Sequence, residues 1–123
     1  MTSVSEFLVE KNEGLIRWNL RKTPISIALR NIDQAMLDKI NNTVFVLTGV
    51  NELPTYLHIY SSDGVEIMRT MAPVGFQFYY LSEYPKQGVS IVCVADNPVD
   101  GWRDWHFGFD FQKKELFRIN PAY

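Results

Sequence analysis

Trp102-Arg103-Asp104-Trp105-His106-Phe107-Gly108-Phe109-Asp110-Phe111 is the stretch that decides the fold class of this 123-residue chain. Trp105, Phe107, Phe109 and Phe111 alternate with Asp104, His106, Gly108 and Asp110, and side chains two apart on a strand share a face. The segment is therefore a β-strand with an aromatic core face and a polar second face. Aromatic residues suit a pleated, half-buried surface, and 8 Phe, 6 Tyr and 3 Trp in one small chain extend the β reading to the whole.

Working outward, turn chemistry cuts the chain into short strands. Pro73-Val74-Gly75, Pro85-Lys86-Gln87-Gly88 and Asn97-Pro98-Val99-Asp100-Gly101 separate Phe76–Leu81, Val89–Ala95 and Asp104–Phe111, with Glu115–Ile119 last. Leu57–Ser61 and Val65–Arg69 flank Ser62-Asp63-Gly64 and read as a hairpin. Val44–Thr48 is a continuous apolar run, the mark of a central strand. Towards the N-terminus, Glu6–Glu10, Leu15–Leu20 and Ile25–Arg30 read as strands, the last two with period-two alternation. One segment departs from this period: Ile32, Met36, Leu37 and Ile40 fall at i, i+4, i+5 and i+8, which predicts a short helix over about residues 32–41. The expectation is one domain, residues 1–123, mainly β. Its antiparallel meander would form a sandwich, a barrel or a strongly curved sheet, with that helix packed on it. No sequence repeat, low-complexity tract or linker is visible.

Composition narrows the function classes. The net charge of −2 lacks the clustered positive field of a nucleic-acid binder. The chain is mildly bipolar nevertheless: Arg17, Arg21, Lys22 and Arg30 gather early, where they form the only candidate nucleic-acid contact, and Asp96, Asp100, Asp104 and Asp110 gather late. The sequence shows neither a signal peptide nor an apolar run long enough to span a membrane, so a cytoplasmic location is expected. Cys93, the one cysteine, sits in an apolar run and reads as a small buried hydrophobe.

Catalytic and cofactor motifs do not emerge. There is no Gly-x-Ser-x-Gly and no phosphate-cradling glycine loop, and the acids from Asp96 onward lack calcium-loop spacing, since Phe107 stands where the twelfth-position acid is required. No metal or cofactor is assigned. His106 shares a face with Asp104, and Tyr56, His58 and Tyr60 share the face opposite Leu57 and Ile59; two tyrosines around a histidine suit recognition. Trp102 lies in an acidic loop as a contact residue. The resulting expectation is a small intracellular, non-enzymatic protein-binding domain of the accessory, inhibitor or immunity type, binding another protein or itself. Trp102, Asp104, His106, Tyr56, His58 and Tyr60 would be the contacts. The alternative is a small-molecule-binding barrel or curved sheet with an aromatic-lined pocket.

Overall fold

The computed structural model describes residues 4–123. Eleven strands follow one another: β1 (Val4–Glu10), β2 (Leu15–Leu20), β3 (Thr23–Ala28), β4 (Ile32–Asp38), β5 (Thr43–Thr48), β6 (Tyr56–Ser61), β7 (Glu66–Met71), β8 (Phe76–Tyr84), β9 (Gly88–Val99), β10 (Trp102–Asp110) and β11 (Glu115–Pro121). Every ladder is antiparallel and joins strands adjacent in sequence, giving sheets β1-β2-β3, β4-β5-β6-β7 and β8-β9-β10-β11. The fold is mainly β, as the alternation predicts, and it is built of open sheets stacked in layers rather than a closed barrel.

The central strands of the middle sheet, β5 and most of β6, are buried on both faces. Phe45, Leu47, Leu57 and Ile59 project from them to meet Phe78, Ile91, Cys93, Trp105, Phe107 and Phe109 of the third sheet. Val44, Val46 and Tyr60 project the other way, onto Val4, Ile16 and Trp18 of the first sheet. All six residues of β5 are consequently buried, which accounts for its unbroken apolar run. Cys93 lies inside the first of these cores, and burial pushes its thiol up to about 12.

The helix expected over residues 32–41 is not there; β4 occupies its place. The cause is the two-sided burial together with a bulge. Met36 packs towards the third sheet, while Ala35 and Leu37 pack towards the first. A register shift between Ile32 and Gln34 brings Ile32 to the same side as Ala35 and Leu37. Apolar residues on both faces plus one extra residue reproduce a helical spacing.

β4 and β8, the first strands of their sheets, lie side by side. Gln34 bridges them: its Nε2 donates to the Tyr79 carbonyl at 3.2 Å and its Oε1 accepts from the Leu81 amide at 2.6 Å. Successive antiparallel meanders stacked face to face give a sandwich-like arrangement. In the third sheet β9 and β10 reach further than the sequence breaks suggest, because Asp100-Gly101, both at positive φ, forms a two-residue hairpin turn with Val99 opposite Trp102.

Candidate functional site

The fold presents two candidate surfaces. The first is the outward face of the third sheet. On β9, Ser90 and Val92 alternate away from the core yet have no solvent exposure, because larger side chains close over them. Tyr80 stands opposite Val92 across the ladder, and Phe117 stands opposite Gly108. The Phe117 ring sits close enough over Gly108 that a Cβ there would strike it, so glycine is what lets the aromatic lie flat on the strand. His106 accompanies them, its Nδ1 2.8 Å from Ser90 Oγ and its ring 5.0 Å from that of Tyr84 in an edge arrangement. Tyr80 and Phe117 remain exposed. Asp104 and Asp110 occupy the same face of β10, and Glu115 pairs with Asp110 across the ladder.

His106 is thus held by Ser90 and Tyr84 rather than by Asp104. Trp102, 44% exposed, sits beside the β9–β10 turn with its ring 4.7 Å from Tyr123, and its carbonyl accepts from Trp105 Nε1 at 3.0 Å. The Tyr56, His58 and Tyr60 face is a different matter. It turns towards the first sheet, so His58 and Tyr60 are buried and present no surface to a partner, while Tyr56 stays exposed. The sequence shows the shared face correctly; that another sheet covers it is a long-range fact with no local signal.

The second surface is an open cleft of roughly 600 Å³ where the β3–β4 link meets the β5–β6 loop. Arg30, Asn31, Thr48, Thr55, Tyr56 and Arg69 contribute to its lining, with His58 behind. His58 Nε2 lies 2.8 Å from Thr48 Oγ1. Its Nδ1 is 3.6 Å from Glu66 Oε1, too long for a hydrogen bond, so Glu66 acts on the ring as a charge. Arg69 Nε reaches the same Glu66 oxygen at 3.2 Å. Tyr56 and His58 were legible as a pair in the sequence; Arg30, from the β3–β4 link, and Arg69, from β7, define the chemistry here and were not.

Burial holds both histidines below the ordinary value of 6.5. For His58, Glu66 opposes that lowering and Arg69 adds to it. The unfolded chain therefore takes up protons near pH 6.5 that the folded chain refuses. Stability supplied by the neutral rings is complete above that pH and falls as pH drops towards the lower folded values. Urea midpoints are expected to decline between pH 7.5 and pH 5.5, and His58→Gln is expected to flatten that decline. A wild-type midpoint constant across the interval would contradict the assignment.

Among the described residues there is no group of three or more potential metal ligands, and no helix is long and apolar enough to cross a membrane. No protein-family model, curated protein or solved structure gives a significant match to the chain.

Proposed function

We propose that the chain is a protein-binding domain whose docking face is the outward face of the third sheet, and that a second copy of the chain is its natural occupant. The observation that carries this is the aromatic cover of Tyr80, Tyr84, His106 and Phe117 over Ser90 and Val92, with Tyr80 and Phe117 still exposed. Interaction surfaces favour aromatic anchors at the centre and polar groups at the rim, and Asp104, Asp110 and Glu115 supply such a rim.

The layering argues for another copy. Each sheet already packs its face on the next, and a further antiparallel sheet continues the stack. The β2–β3 turn of the first sheet carries Arg21 and Lys22, opposite in sign to the acids on the third. First sheet against third sheet is a head-to-tail contact, which builds a ring where the rotation closes. Tyr56, Trp102 and Tyr123 lie outside this face; the buried His58 and Tyr60 take no part in it.

Sedimentation across a wide concentration range tests the reading. The wild-type mass is expected to rise above the 14.3 kDa of one chain, and Phe117→Asp, which removes a partly exposed ring of the aromatic cover, is expected to hold it there. A single-chain mass at every concentration would remove self-association. Should the immobilised chain also retain no protein that Phe117→Asp loses, the wider protein-binding reading goes with it.

A further inference from the structure

We infer that the cleft between the β3–β4 link and the β5–β6 loop is a binding site for a small organic anion, one with a phosphate or carboxylate head and a flat apolar body. This site is separate from the outward face of the third sheet and does not depend on it.

The lining residues carry the argument. Two arginines, Arg30 and Arg69, line one cleft, and no acid lines it. Arg30 makes no ion pair among the described residues. Arg69 is engaged by Glu66 only through Nε, which leaves the N–H donors of both terminal nitrogens for a ligand. A guanidinium presents its donors as a planar fork that matches the two oxygens of a carboxylate or phosphate, so two of them favour an anionic head over a neutral one.

The remainder of the cleft suits the rest of such a molecule. Thr48, Thr55, Asn31 and Asn51 offer short-range polar contacts around the arginines. Tyr56 and Val50, both well exposed, and Leu29 provide an apolar wall. A volume of roughly 600 Å³ exceeds what a bare inorganic anion needs and falls in the range of small-molecule sites. Gly49 lets the β5–β6 loop fold back closely beside the cleft: a Cβ there would run into the Thr55 amide, whose N–H is given to the Thr48 carbonyl. Glu66 stands behind Arg69 and fixes its direction without entering the cleft lining.

The test uses phenyl phosphate and benzoate as probes, with benzyl alcohol as the neutral control, titrated into the whole chain and followed by amide chemical shifts. At least one anion is expected to bind ten-fold or more tightly than benzyl alcohol, with shifts at Gly49, Tyr56 and Arg69. Arg30→Met keeps the apolar stem and removes the charge at an exposed position, and is expected to weaken that binding at least ten-fold while the spectrum elsewhere stays put. Affinities for both anions no better than for benzyl alcohol would overturn the inference. So would anion binding that Arg30→Met and Arg69→Met leave unchanged.

Discussion

Replacing Asp38 with alanine is expected to destabilise the chain by about 3 kcal/mol, because it strips the acceptor from a cluster of four hydrogen bonds. Asp38 is a fully buried carboxylate at the end of β4. Its Oδ1 accepts from the amides of Ile40 at 3.0 Å and Asn41 at 2.8 Å, closing the β4–β5 turn. Its Oδ2 accepts from Asn41 Nδ2 at 2.9 Å and from the Val89 amide at 3.1 Å, across in the third sheet. Asn41 Nδ2 also donates to the Gln87 carbonyl at 3.0 Å, so the middle and third sheets are tied at their turns by one cluster. Four donors meet two oxygens, which a carboxylate satisfies and an amide does not. Asp38→Asn is therefore expected to cost a substantial part of the alanine penalty, since its NH2 would face donors. Gly88 completes the fit: it sits at φ +104°, and a Cβ there would fall on the Asp38 carboxylate. Gly88→Ala should lower the urea midpoint in the same direction. If Asp38→Ala shifts that midpoint by less than the equivalent of about 1 kcal/mol, the cluster does not hold the sheets together.

Asp38 also shows what the sequence could have disclosed and did not. Asp38-Lys39-Ile40-Asn41 is an Asx turn in pattern, an aspartate capping the amides two and three residues on. Within a helical reading of residues 32–41 that signal looked like an ordinary polar face. Local alternation located nearly every other strand, because a face that meets a core writes its period directly into the chain. Trp105, Phe107 and Phe109 are buried as their spacing demands, and Phe111 packs partly buried against them. Alternation cannot say what covers the second face. For β10 the second face carries Asp104, His106 and Asp110 and lies outward; for β6 it carries His58 and Tyr60 and lies beneath the first sheet. Both faces are polar or amphipathic in sequence, and only the order in which whole sheets stack separates them. The cleft was illegible for the same reason, since Arg30 belongs to a sheet connection and Arg69 to β7.

The first sheet is held to the middle one through its own buried cluster, of which Trp18 is the largest side chain. Its ring is fully buried between the first and middle sheets, 6.2 Å from that of Phe7. Its Nε1 donates to the Ser62 carbonyl in the β6–β7 turn at 2.7 Å, so one side chain both fills the interface and fixes its position. Truncating a buried tryptophan leaves a cavity and removes its transfer energy, a loss of about 3–5 kcal/mol for Trp18→Ala. Trp18→Phe keeps most of the volume and gives up the hydrogen bond, for a loss of about 1–2 kcal/mol. The ranking is measurable as urea midpoints of the three proteins. The location of the damage is the sharper readout. With β1 to β3 loosened, hydrogen exchange is expected to accelerate at Ile16, Ile25 and Ile27 well before Ile91 and Phe107, which belong to the other core. Undocking would also expose the His58 and Tyr60 face, and exposed apolar surface of that kind binds hydrophobic dyes. Uniform acceleration across both cores would mean that the layers unfold as one unit, and that Trp18 supports the whole stack rather than the first sheet alone.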